Sequence, residues 1–184
     1  MQATSPPPLD SGKAAWRKWL RARTEPEPGK ASAAIVRELA TLLKSLPASR
    51  IAAFAGMPDE PDLWPLIEST QGHEWFLPRI SETEMNFHAM RSRHDGVPGV
   101  FGIIEPHTSA ARIDAPEIDL VLCPGLGFGR DLSRIGRGKG YYDRWLSRLR
   151  PGTPIIGVAF PCRIVDAVPT DAHDIRMTQL IPSA

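Results

Sequence analysis

Residues Asp119–Arg150, DLVLCPGLGFGRDLSRIGRGKGYYDRWLSRLR, contain a strand, a loop and a helix in succession. The apolar run Ile118 to Cys123 predicts a parallel strand buried on both faces, because helices packed on two sides remove the alternation of polar and apolar residues. Pro124-Gly125 ends it and a glycine-punctuated loop follows. Tyr142, Trp145, Leu146 and Leu149 then recur at i, i+3, i+4 and i+7, which turns one side of a helix to a core.

The loop reads Arg134-Ile135-Gly136-Arg137-Gly138-Lys139-Gly140-Tyr141-Tyr142-Asp143. Three alternate glycines let backbone N–H groups crowd around a bulky anion where Cβ atoms would block the approach. The start of the next helix adds unpaired N–H groups and a positive dipole end. Arg134, Arg137 and Lys139 supply mobile positive charge, and Asp143 can hold a divalent cation that bridges phosphate oxygens. Together they suggest a nucleoside triphosphate with magnesium. The spacing fits neither GxxxxGK[ST] nor GxGxxG, which needs glycine where Tyr141 stands. A solvated Gly/Arg loop with Asp143 as a first-turn helix acid has the same local pattern.

Nearer the N-terminus, Ala15, Trp16, Trp19 and Leu20 predict a basic amphipathic helix from Ser11 to before Pro26. Lys13 and Arg17, four apart on one face, can clamp a phosphate together, or belong to a solvated basic face. A helix over Ala31 to Leu46 carries an Ile35, Leu39, Leu42, Leu43, Leu46 stripe. Ile51 to Gly56 predicts a short buried strand that spills into Met57-Pro58-Asp59-Glu60-Pro61-Asp62. Loops after strand ends are where α/β proteins put ligands, and here Met57 offers an apolar contact while Glu60 or Asp62 offers an acceptor. A turn capping the next helix, Leu63 to Gly72, explains the same acids. Trp75–Pro78, a stretch around Met85 and Phe87, Phe101–Pro106, Ile155–Phe160 and Ile175–Ile181 predict further strands. Glu105 is a candidate strand-end residue facing the site, or a surface-turn residue. His173-Asp174 is a candidate metal or acid–base pair, or a solvated turn. Alternating strands and helices predict an α/β fold in three layers around a mostly parallel sheet.

At 184 residues the chain predicts a single domain over residues 11–184 behind a short flexible tail. Lys and Arg number 22 against 21 Asp and Glu, a net charge of +1, so no global bias points to nucleic acid or membrane and any anion site is local. Cys123 and Cys162 form no CxxC or Cys/His cluster, which argues against a disulfide framework or a zinc site and predicts buried thiols. With no apolar stretch of about 18 residues and no signal-like N-terminus, a soluble cytoplasmic protein is expected.

The chain resembles the 5-formyltetrahydrofolate cyclo-ligases, also called 5,10-methenyltetrahydrofolate synthetases. The resemblance runs from Lys13 to about Ile181. It rests on Lys13-x-x-x-Arg17, the Met57–Asp62 turn, Leu77-Pro78-Arg79, Gly102-Ile-Ile-Glu105-Pro106, Pro124-Gly125-Leu126-Gly127-Phe128, the glycine loop through Asp143, and Pro169 with His173-Asp174. It implies that Lys13 and Arg17 contact ATP phosphates and that Arg134, Gly136, Arg137, Gly138, Lys139, Gly140, Tyr141 and Tyr142 wrap the nucleotide. It implies magnesium at Asp143 and Asp174, and a folate pocket at Met57, Glu60 and Asp62, approached by Arg137 and Tyr141. The implied fold is similar to sugar-phosphate isomerases.

The implied reaction is ATP-driven closure of 5-formyltetrahydrofolate to 5,10-methenyltetrahydrofolate, through an iminium phosphate that N10 attacks. Arg137 and Lys139 would neutralise charge on the transferring group, and no side-chain nucleophile is needed. Two other readings share these residues: a relative that binds nucleotide or folate without turnover, and a sugar-phosphate isomerase on the same fold. Oligomeric state is not legible, a monomer being favoured; no nucleic acid or membrane partner is expected.

Overall fold

The computed structural model describes residues 5–81, 84–99 and 102–183; Met1–Thr4 of the expected tail and Phe101, expected to open a strand, lie outside them. In chain order the strands are β1 (Arg50–Ala52), β2 (Glu74–Ser81), β3 (Glu84–Ala89), β4 (Gly96–Pro98), β5 (Ile104–Pro106), β6 (Arg112–Ile113), β7 (Leu120–Pro124), β8 (Gly127–Gly129), β9 (Arg134–Ile135), β10 (Ile155–Val158), β11 (Ile164–Val165) and β12 (Gln179–Ile181). The α-helices are α1 (Gly12–Arg21), α2 (Pro28–Lys44), α3 (Trp64–Ser69) and α4 (Tyr141–Leu146). A seven-stranded sheet runs β12-β10-β7-β1-β2-β3-β6. It is parallel from β12 to β2, and β3 and β6 join antiparallel at one edge. The expected three-layer α/β arrangement is the one observed.

Successive strand residues point to opposite faces, and both faces are apolar, which is why the strands read as continuous runs. Ile51, Trp75, Leu77, Leu120, Leu122, Ile156 and Val158 pack with Ile35, Leu39 and Leu43 of α2 and with Leu66 and Ile67 of α3. Ala52, Phe76, Val121, Cys123 and Ile155 pack on the other side with Trp145 and Leu146 of α4 and with Phe87. Truncating one such side chain to alanine costs about 2–5 kcal/mol, so either layer is worth a large share of a domain's net stability.

Several boundaries differ from the expectations. The strand expected from Ile51 to Gly56 spans Arg50–Ala52 and leaves Ala53–Ala55 as a buried extension, and the last strand is confined to Gln179–Ile181. Helix α4 ends at Leu146, with Leu149 still packed on the core beyond it. A helix this short aligns few peptide dipoles, so the dipole contribution expected from its start is small.

The glycine loop is more ordered than its composition predicts. β8 and β9 pair antiparallel, and β11 adds parallel to β8, giving a separate three-stranded sheet. Trp16 and Leu20 of α1 close over it with Leu126, Ile135 and Val168. Phe128 lies beneath Gly125 and Gly157, where an added Cβ would meet its ring at 2.6 Å. These two glycines make room for the aromatic ring that seats the small sheet on the large one. At the N-terminus, Trp16 Nε1 donates to the Pro8 carbonyl at 3.0 Å.

Candidate functional site

From β1 the chain crosses to β2 on one side, whereas β7, β10 and β12 build the sheet outward on the other. Connections that leave in opposite directions open a crevice at the carboxyl ends of the strands, the usual ligand position in such sheets. A cavity of about 850 Å³ occupies that position, bordered by Phe54 and Ala55 after β1, Pro78 and Ile80 of β2, and Pro124 and Gly125 at the end of β7. Its volume lies near the upper end for small-molecule pockets.

The cavity brings together Lys13, Arg17, Met57, Glu60, Arg134, Gly136, Arg137, Gly138, Lys139, Gly140, Tyr141, Tyr142, Asp143 and Asp174. Of the expected site residues, Asp62 is elsewhere. Its Oδ1 accepts from Trp64 N at 3.0 Å and its Oδ2 lies 3.4 Å from Arg93 Nη2, so it closes the turn that leads into α3 and pairs on the surface, bordering a neighbouring groove. Glu105 is also not a cavity residue. It is 1 % exposed, with Oε2 3.8 Å from Arg79 Nη1.

Conformation in the loop is set by glycine where it is needed. Gly138 has φ +100° and Gly140, the residue before α4, has φ +69°, a region costly for residues with a Cβ.

The cations are held in different ways. Arg134, expected to be mobile, is buried: Nε donates to the Pro124 carbonyl at 2.9 Å and Nη1 to Asp143 Oδ1 at 2.8 Å. Burial opposes its charge, but Cys123 and Asp143 more than offset this and raise its pKa. It is a brace between β7 and α4. Arg137 donates through Nε to Glu60 Oε1 at 3.2 Å, and through Nη2 to Glu60 Oε1 at 2.9 Å and Asp59 Oδ1 at 2.5 Å. Arg17 Nε donates to the Gly136 carbonyl at 3.0 Å, tying α1 to the loop. Lys139 is exposed at the cavity rim.

Lys13 Nζ lies 2.5 Å from Asp174 Oδ2 and 2.7 Å from Asp171 Oδ2. Burial raises the Asp174 carboxyl, but hydrogen bonds from Lys13 and the Asp171 amide, with the charge of Lys13, outweigh it and hold Asp174 below the usual carboxylate range. Asp143 and Asp174, with Asp171 and His173, border the same cavity. Among the described residues no three His, Cys, Asp or Glu side chains gather into a metal cage. A pair of carboxylates with room beside them fits a magnesium ion, which keeps most positions for phosphate oxygens and water. Such an ion would compete with Lys13 for Asp174.

Sequence reading did not single out Asp59, Asp171 or Arg163, whose roles depend on partners distant in the chain. Arg163 is 4 % exposed and its Nη2 lies 3.1 Å from Asp59 Oδ2. The apolar wall of Pro78, Ile80, Met85 and Ile103 was also not assigned to the site. Both cysteines are free; Cys123 is buried, its thiol pushed up to about 11 mainly by that burial, and Cys162 is half-buried rather than enclosed. Among the described residues no helix is long and apolar enough to cross a membrane.

Fold and cavity define an α/β protein with a cation-rimmed, glycine-looped cleft at a sheet switch point. The sequence profile of the 5-formyltetrahydrofolate cyclo-ligase family matches residues 13–182, and the chain belongs to that family. The 5-formyltetrahydrofolate cyclo-ligase of Mus musculus is 32% identical over 148 residues, 72% of each chain. The NMR structure of Aquifex aeolicus 5,10-methenyltetrahydrofolate synthetase superposes with a TM-score of 0.75 at 30% identity, covering 91% of this chain and 88% of that one. The 5,10-methenyltetrahydrofolate synthetase of Mycoplasma pneumoniae gives 0.71 at 25% identity, covering 92% and 97%.

Proposed function

We propose that this chain is an ATP-dependent 5-formyltetrahydrofolate cyclo-ligase, closing 5-formyltetrahydrofolate to 5,10-methenyltetrahydrofolate with release of ADP and phosphate. The observation that carries the reading is that one cavity is bordered by the glycine loop, by Lys13 and Arg17 of α1, and by Met57 and Glu60, in a member of this family. Residues 11–184 act as one catalytic domain, as a monomer in the cytoplasm; the unpaired thiols suit a reducing compartment.

The formyl oxygen on N5 attacks the γ-phosphorus and the bond to ADP breaks, leaving an iminium phosphate. N10 attacks the activated carbon, loses its proton, and the oxygen departs within the phosphate. Converting a poor leaving group into phosphate needs positioning and charge neutralisation more than a nucleophile. Lys13 and Arg17, released from their present partners, take the phosphates, with the Gly136–Tyr142 backbone around them. Lys139 and Arg137 neutralise the transferring group. Met57 and the apolar wall at Ile80 and Met85 take the folate ring system, with Tyr141 and Glu60 beside it. Asp143 and Asp174 hold magnesium, which when bound offsets phosphate charge.

Protein mixed with Mg-ATP and 5-formyltetrahydrofolate should show ATP-dependent growth of the methenyl absorbance. Tight binding of either substrate with no growth would favour the non-catalytic relative. Sugar-phosphate isomerisation without ATP would overturn the assignment.

A further inference from the structure

The acidic turn holds a carboxylate that does not border the cavity but touches an arginine that does. Asp59 Oδ1 accepts from Arg137 Nη2 at 2.5 Å, and Asp59 Oδ2 accepts from Arg163 Nη2 at 3.1 Å. One carboxylate thus bridges a cavity arginine and a buried one. Arg163 is fixed independently: Nε donates to the Arg23 carbonyl and Nη1 to the Leu126 carbonyl, each at 3.1 Å.

Glu60 alone does not orient Arg137. Both of its contacts use a single oxygen, Oε1, and a planar guanidinium resting on one acceptor atom can pivot about it. The other oxygen, Oε2, accepts from Met57 N at 3.0 Å and closes the turn. Asp59 supplies the second point that defines the plane of the fork. None of these contacts uses Arg137 Nη1.

We propose that Asp59 is a positioning residue for Arg137, transferring the fixed placement of buried Arg163 to the guanidinium so that Nη1 is presented to the substrate. Burial opposes ionisation of Asp59, but Arg137 and Arg163 outweigh it and hold its pKa below the ordinary value, so the bridge is charged at neutral pH. The proposal rests on the cavity being the cyclo-ligase site.

The test is a double-mutant cycle of Asp59→Asn and Arg137→Ala, read both as turnover and as calorimetric binding of 5-formyltetrahydrofolate. Alone, Asp59→Asn should lower kcat/KM for the folate about tenfold, the scale of one displaced charge-assisted contact. It should leave KM for Mg-ATP within about twofold, a split that general destabilisation does not produce. In the Arg137→Ala background the same substitution should change folate binding and kcat/KM by less than about twofold. A full tenfold loss in that background, or no loss in the parent, overturns the proposal. If Asp59→Asn does not fold, Asp59→Glu, which keeps the charge but moves both oxygens, takes its place with the same criteria. Absence of turnover in the parent protein sinks the functional reading instead, while coupling in the binding cycle still reports on Asp59 and Arg137.

Discussion

Lys13 Nζ and Asp174 Oδ2, 161 residues apart in the chain, meet at 2.5 Å, and through them the first helix is fastened to the C-terminal segment across the cavity mouth. Both side chains are mostly covered, at 18% and 15% exposure. Removing one partner should therefore cost more than an exposed pair does, about 1–2 kcal/mol. Asp174→Asn should lower Tm by roughly 2–8 °C at pH 7. The folded-state pKa of Asp174 is depressed, so its contribution is present above the ordinary value of 3.8 and is lost as pH falls through the lower folded value. The Tm gap between parent and variant should shrink on acidification below that range, as thermal unfolding at several pH values will show. A gap independent of pH would contradict the pairing.

Asp143 braces Arg134 in this structure and is the proposed magnesium ligand, and its substitution separates the two roles. Asp143→Asn keeps an oxygen that can accept from Arg134 Nη1 but removes the charge opposite a buried guanidinium. We expect a folded protein destabilised by about 1–2 kcal/mol, with turnover reduced by about 10²-fold or more if the carboxylate holds magnesium. Circular dichroism melts and a magnesium titration of turnover distinguish the two effects. Unchanged magnesium dependence would remove the metal role and leave the brace.

Gly138 is exposed and at φ +100°, and a Cβ added there would meet only the Arg17 side chain, at 3.5 Å. The cost of Gly138→Val is then conformational rather than steric, about 1–2 kcal/mol of local backbone strain. The strain should lower Tm by a few degrees, and ATP affinity should weaken about tenfold because the loop leaves its present conformation. Calorimetric titration with ATP checks this, and wild-type affinity would count against the cradle.

Gly157 is the contrasting case. A Cβ there meets Phe128 at 2.6 Å and Leu180 at 2.8 Å inside the sheet, so Gly157→Val should destabilise by about 3 kcal/mol or more through overpacking. Chemical denaturation should show the midpoint falling with little change in slope. A small effect would mean that Phe128 can leave its position without loss.

Burial and an elevated pKa of about 11 make Cys123 a poor nucleophile. In the native protein, labelling at pH 8 should modify Cys162 first and leave Cys123 unlabelled until unfolding. Peptide mass mapping after timed alkylation reads the order directly.

The amino-acid sequence by itself determined the three-layer order. Continuous apolar strands such as Leu120–Cys123 are possible only with both faces covered, and the 3.6-residue stripes of α1 and α2 each turn one face inward. It also marked the cavity's glycines and nearly all its expected contacts, because motifs at successive strand ends converge once the sheet is parallel. Tertiary structure alone decided which charges are held and by what. Arg134, Arg137 and Lys139 look alike in one loop, yet the first is a buried brace, the second is gripped by Asp59 and Glu60, and the third stands at the rim. The two-residue strands β9 and β11 were likewise invisible, being too short for any period and held by packing against Trp16 and Leu20. Periodicity reports which way a residue faces; the partner of a charge depends on distances between segments far apart in the chain, which only the folded sheet brings together.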